Sequence, residues 1–111
     1  MQEGNIVLID FPQSGGGSKV RPALILKRLP KYNDFLVCGI STQIGQFIKD
    51  FDEILNEEDG FFIKTGLHKT SVVRLFFLAV VSEDDISGSI GKIPTNMHRN
   101  LLERLAMFLA S

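Results

Sequence analysis

Five residues of this chain could act together on one charged substrate: Arg21, Ser41, Thr42, Gln43 and Arg74. Two guanidinium forks match the oxygens of a phosphodiester, and a nearby hydroxyl can donate to the same group. Such a set stabilises the charge that builds at phosphorus during displacement. In RNA the 2′-hydroxyl already lies beside the phosphate. A protein that cuts there needs alignment, charge stabilisation and a proton for the leaving oxygen, but neither a metal nor a nucleophile of its own. Taken singly, each of these residues is more often structural than catalytic.

Other chemistries fit less well. The run Gly15, Gly16, Gly17, Ser18, Lys19 looks like a phosphate loop, yet a nucleotide loop opens a helix after its lysine and hydroxyl residue. Here V-R-P-A-L-I-L follows, which is a strand, so the glycines are read as a mobile lid instead. His68 and His98 stand far apart with no cysteine or carboxylate at ligand spacing, so no metal or cofactor is expected. His98 is expected on the surface of a first helical turn, and His68 in a loop near the Arg74 strand, where it could contact a ligand. The single Cys38 cannot form an internal disulfide. Set between Val37 and Gly39 in an apolar run, it reads as a buried, reduced thiol of a cytoplasmic protein.

Short strands must position the candidate residues. N-I-V-L-I-D-F is apolar on both faces, as a strand of a small closed barrel would be. Q-S-G-G-G-S is a loop, and a second strand runs from about Pro22 to Leu29. After the turn L-P-K-Y-N-D comes D-F-L-V-C-G-I-S-T-Q, whose alternation puts Phe35, Val37, Gly39 and Ser41 on one face. A weak strand is expected near Phe51 to Leu55. In S-V-V-R-L-F-F-L-A-V-V, alternation sets Val73, Leu75 and Phe77 against Val72, Arg74, Phe76 and Leu78. Ser82 caps a short helical turn with Asp85 at the reciprocal position, and S-I-G-K-I is a last strand. Met97, Leu101, Leu105 and Phe108 repeat at helical spacing, widened by Leu102 and Leu109, with Thr95 as the expected N-cap.

The chain has 111 residues, 44% of them hydrophobic and 23% charged. That suits one globular domain over residues 1–111 and excludes a disordered chain. No apolar run reaches the roughly 20 residues that cross a bilayer, and M-Q-E-G-N is not a secretory signal. Net charge is −1, but the signs are segregated. Lys19, Arg21, Lys27, Arg28 and Lys31 form a run without acids; Asp50, Asp52, Glu53, Glu57, Glu58 and Asp59 form one without bases. A local basic face can attract a polyanion, although solvated surface explains both runs on charge alone.

Four segments in this order resemble the MazF/PemK toxins, the mRNA interferases of bacterial toxin–antitoxin pairs. G-N-I-V-L-I-D-F-P is similar to the family's opening strand, V-R-P-A-L-I-L to its central signature, I-S-T-Q-I to the end of its third strand, and S-V-V-R-L to its later arginine strand. The resemblance implies a mainly β fold with α: a small SH3-like β-barrel (CcdB/PemK/MazF-like) with a C-terminal amphipathic helix, assembled as a homodimer. It implies a metal-independent endoribonuclease that cleaves single-stranded RNA, leaving a 2′,3′-cyclic phosphate and a 5′-hydroxyl. A small cognate antitoxin is the implied partner, together with which such toxins bind DNA; no membrane is involved. Arg21, Ser41 and Arg74 correspond to catalytic positions. Gly16, Gly17, Lys19 and Pro22, with Thr42, Gln43 and His68, are the expected RNA contacts. The chain departs from the pattern at Phe76, where some members have an aspartate, and in its short glycine loop. Other functions on the same fold are a CcdB-like gyrase poison and an inactive binding module.

Overall fold

Strand alternation and two-sided burial set the architecture. The computed structural model describes residues 1–12 and 15–111, with the side chains of Phe11, Pro12 and Ser18 outside the description. The expected glycine loop therefore falls partly outside the described residues, at 13 and 14. Six strands form one antiparallel sheet: β1 (Asn5–Pro12), β2 (Ser18–Arg28), β3 (Asp34–Ser41), β4 (Glu53–Leu55), β5 (Ser71–Ser82) and β6 (Ile86–Lys92). Their spatial order is β4-β5-β3-β2-β1-β6. One helix, α1 (Thr95–Ala110), closes the chain.

The apolar-on-both-faces reading of the early strands holds. Ile6 and Val7 are neighbours in sequence and both fully buried, as are Leu24, Ile25 and Leu26. One face of the sheet carries Ile6, Leu24, Leu26, Cys38, Ile40, Val73 and Leu75, packed with Leu101 and Leu105 of α1. The other carries Val7, Ile9, Ala23, Ile25, Phe35 and Val37. Among the described residues α1 packs on the first face. The turn between β2 and β3 is as read: Asn33 takes a left-handed conformation and the Leu29 N–H donates to the Asp34 carbonyl at 2.9 Å.

The sheet is not closed into a barrel. β4 and β6 are its two edges, and no ladder joins them among the described residues. The segment after β4 instead packs against β6. A β-carbon on Gly66 would stand 2.0 Å from the Ile90 carbonyl oxygen, and one on Gly91 would stand 2.3 Å from that of Lys64. The seam is thus filled by close backbone contact around the 3₁₀ turn Phe62–Thr65, where a strand ladder was expected.

The helical stripe holds at its middle, but Leu109, expected to widen it, is exposed in the last turn, and its start also needs correction. Leu101 and Leu105 are buried, and Phe108 packs edge-on against Phe51 at 5.6 Å between centroids. Thr95 is the first helical residue and not the cap; extended Pro94 precedes it and no side chain caps the helix. Losing a side-chain cap costs about 1 kcal/mol. Burying two leucines contributes roughly 3–6 kcal/mol. Packing therefore holds α1 in place. Ser82 does cap the 3₁₀ turn Glu83–Asp85, its hydroxyl accepting from the Asp84 N–H at 3.2 Å.

Candidate functional site

Pro22 explains why a groove exists here. β2 pairs with β1 from Ser18 onward, but its ladder with β3 begins only at Ala23 opposite Gly39. Proline offers no N–H to a ladder and is tolerated where a strand has one free edge. The two strands fork at this point. Carried past the fork, the same register puts Arg21 opposite Ser41. Since Arg21 is two residues from Ala23, and Ser41 two from Gly39, both side chains lie on the Gly39 face.

Arg74 joins them from the other side, because it is the β5 residue paired with Gly39. Paired residues of an antiparallel ladder share a face. Gly39 is thus flanked by Arg74 on one side and by the Arg21 end of β2 on the other, and its missing side chain leaves the floor low. Two adjoining cavities, of about 420 and 480 Å³, share Arg21, Pro22, Ile40, Ser41 and Gln43 in their walls. Leu67, His68 and Lys69 add a wall on one side; Gln46, Arg74 and Phe77 add one on the other. No carboxylate lines either cavity among the described residues.

Hydrogen bonding leaves these groups free for a ligand. The Ser41 oxygen accepts the Gln43 N–H at 3.0 Å, so its own proton can be donated elsewhere. The Arg74 Nε is buried without a hydrogen-bond partner among the described residues. A buried donor without a partner costs free energy. Its guanidinium lies over the Phe77 ring, 5.1 Å from the centroid.

A bulge in β5 decides which phenylalanine stands here. Cys38 pairs with Leu78 while the next residue, Gly39, pairs with Arg74, so Leu75, Phe76 and Phe77 have no partner on β3. Simple alternation placed Phe76 on the Arg74 face. The structure corrects this: Phe76 turns to the helix side, with centroids 4.8 Å from Phe51 and 4.6 Å from Phe108. Phe77 comes to the groove and remains 53% exposed.

Asp52 braces this arrangement and was hidden by its acidic surroundings. It is 5% exposed, one carboxylate oxygen accepting the Leu75 N–H at 3.0 Å and the other the Ile48 N–H at 2.9 Å. It ties the start of the bulge to the turn that carries Gln46. Glu53 is also engaged, receiving Arg104 of α1 at 2.6 Å. The acidic run is therefore partly structural and not simply a solvated face. Burial, with the Asp52 charge as a smaller contribution, pushes the Cys38 thiol up to about 12.

Of the candidates read from sequence, Arg21, Pro22, Ser41, Thr42, Gln43 and His68 line the first cavity, and Arg74 lines the second. Gly16, Gly17 and Lys19 are exposed and lie outside both walls. His98 is not a free surface residue: it is half-buried and its Nε2 donates to the Leu26 carbonyl at 2.8 Å. Among the described residues no three His, Cys, Asp or Glu side chains gather as a metal ion would require. Gln46, Lys69 and Phe77 escaped the sequence reading. The polar end of the third strand pointed towards Gln46; nothing in the local sequence announced the β5 bulge.

Comparison with known proteins bears on the family and the fold. Residues 2–109 match the family described as PemK-like, MazF-like toxin of type II toxin–antitoxin system. No curated protein sequence matches the chain. Among solved structures, the Mycobacterium tuberculosis toxin MazF-mt6 is 20% identical, with a TM-score of 0.65 over 96% of each chain. An endoribonuclease in complex with its cognate antitoxin, from a mycobacterial species, is 16% identical with a TM-score of 0.69, covering 99% of this chain and 95% of the other. A chain of the MazE–MazF complex from Deinococcus radiodurans is 16% identical with a TM-score of 0.73, covering 99% and 96%. These structures share the fold: a mainly β six-stranded antiparallel sheet with one C-terminal helix. The match of residues 2–109 and that shared fold lead to one conclusion: the chain belongs to the PemK-like, MazF-like family of toxins of type II toxin–antitoxin systems.

Proposed function

We propose that this toxin is an endoribonuclease that cuts single-stranded RNA in the groove at the β2–β3 fork, without a metal ion. The observation that carries the reading is the placement of Arg21, Ser41 and Arg74 on one face around Gly39, in a groove without carboxylates among the described residues. One of the similar structures is an endoribonuclease bound to its cognate antitoxin.

The chemistry follows from that placement. The substrate's 2′-oxygen attacks the adjacent phosphorus and loses its proton. The bond from phosphorus to the 5′-oxygen breaks, and that oxygen gains a proton. The products are a 2′,3′-cyclic phosphate and a 5′-hydroxyl. Arg21 and Arg74 offset the charge on the non-bridging oxygens, where guanidinium forks fit best. Ser41 donates its free proton to the same group, and Arg21 assists protonation of the leaving oxygen. Thr42, Gln43 and His68 contact the strand along the first cavity, while Gly16 and Gly17 approach it from the β1–β2 loop and Lys19 from the start of β2. A homodimer in the cytoplasm, silenced by a small antitoxin, and an SH3-like barrel opened at one seam complete the reading.

The test uses purified protein, a long single-stranded RNA and EDTA, beside an Arg21→Ala variant, with the new ends mapped chemically. Cuts by the wild type alone, ending in cyclic phosphate, support the proposal. Absence of cleavage at any antitoxin-free dose sinks it.

A further inference from the structure

We infer that Phe77 is a stacking platform for the unpaired base beside the scissile phosphate, and that Gln43 and Gln46 read that base's edge. The inference rests on the groove being an RNA site. Within it, the identity of the platform comes from four observations. The β5 bulge frees Phe77 from the ladder, while its neighbour Phe76 already fills the gap beneath α1. The Phe77 ring is 53% exposed, a large apolar surface to leave in water at the wall of a cavity that also holds Arg21, Arg74, Gln43 and Gln46.

The ring is also held in place. Its atoms come within 3.5 Å of where a β-carbon of Gly39 would be, and the Arg74 guanidinium covers part of it at 5.1 Å. A ring so fixed loses little freedom when a base lands on it. Arg74 can then touch a phosphate oxygen while lying on the same ring that stacks the neighbouring base. Cavity contact supplies the edge readers: the exposed amides of Gln43 and Gln46 line the same volume, and each offers both a donor and an acceptor. The occupant is therefore an unpaired nucleobase, since a duplex keeps its faces stacked and its pairing edges engaged.

Three measurements test this. Phe77→Leu keeps an apolar side chain but no π face. It should lower kcat/KM on single-stranded RNA about 10- to 100-fold, the range alanine substitution gives for one stacked base, and should flatten base preference at one position next to the cut. A 2′-O-methyl oligoribonucleotide carrying 2-aminopurine cannot be cleaved; its fluorescence should be quenched by wild type but not by Phe77→Leu. The chain has no tryptophan, so Phe77→Trp places a lone indole at the site, which can be excited apart from Tyr32. Its emission should fall when the same oligomer without 2-aminopurine binds, which keeps the idea testable even if Phe77→Leu does not fold.

Quenching through Phe77 without any cleavage by wild type would retain the platform and reject the nuclease reading. Wild-type rate, end pattern and quenching in a folded Phe77→Leu would reject the platform alone. So would an unresponsive Phe77→Trp, or a Phe77→Leu whose single change is its mass in solution, which would assign the ring to a contact between copies of the chain.

Discussion

Replacing Asp52 by asparagine should show that this one acid in the acidic run is a structural brace. Each carboxylate oxygen accepts one backbone N–H, at 3.0 Å from Leu75 and 2.9 Å from Ile48. Asparagine keeps one acceptor and turns an NH₂ towards the other N–H, so one bond is lost and two donors face each other. A hydrogen bond to a charged group contributes about 1.5–3 kcal/mol, and a buried donor left unpaired costs about 1–3 kcal/mol. These figures overlap, and together they give a loss of roughly 2–4 kcal/mol. For a chain of this size that lowers Tm by about 10 °C or more. Glu58→Gln removes the same charge from an exposed residue of the same run and should stay within about 0.5 kcal/mol of wild type. Paired urea and thermal unfolding curves, followed by circular dichroism, give the comparison. A folded Asp52→Asn as stable as Glu58→Gln would refute the brace, and with it the account of what fixes the bulge.

The remaining predictions concern the seam, the thiol and the hydroxyl. Gly66→Ala meets the Ile90 carbonyl at 2.0 Å from a backbone with φ +74° and should cost more than about 3 kcal/mol or abolish folding; Gly16→Ala, at φ +90° in open space, should cost about 1–2 kcal/mol, with soluble yield and Tm as readouts. Because the folded-state pKa of Cys38 is raised from 9.0 to about 12, its contribution to stability is complete below pH 9 and is lost as pH rises towards 12. A Cys38→Ala variant should therefore show a shallower fall in urea midpoint over that window, and native protein at pH 8 should resist thiol-specific alkylation. Ser41→Ala should cut RNA cleavage at least tenfold while lowering stability by only about 1 kcal/mol, the value of its bond to the Gln43 N–H; Ser41→Thr, which keeps the hydroxyl, should retain most of the activity.

Most of the site was legible because strand periodicity is local. Apolar alternation in D-F-L-V-C-G-I-S put Ser41 on the Gly39 face, and the ladder agrees. The V-R-P segment marked the place where a strand loses a donor, and the fork lies there. What was not legible depends on distant partners. The choice between Phe76 and Phe77 is made by an irregularity against β3 that no property of F-F encodes. Asp52 looked like its solvated neighbours until the Leu75 N–H was found on it. His98 looked exposed because its acceptor, the Leu26 carbonyl, belongs to another strand. Closure was illegible for the same reason: whether β4 meets β6 depends on how the stretch between β4 and β5 packs, and no ladder joins them among the described residues.

The central position of β3 has a consequence for the newborn chain. Arg21 and Ser41 lie in the first half of the sequence and can approach each other as soon as β2 and β3 pair. Arg74 reaches them only after β5 has been made and has found β3 across the whole acidic segment. Pairing over such a separation closes a large loop and is intrinsically slow. A chain truncated before Ser71 would carry Arg21 and Ser41 but not Arg74, and so no clamp. Order of synthesis thereby completes the two-arginine face last, since its second arginine arrives only with β5.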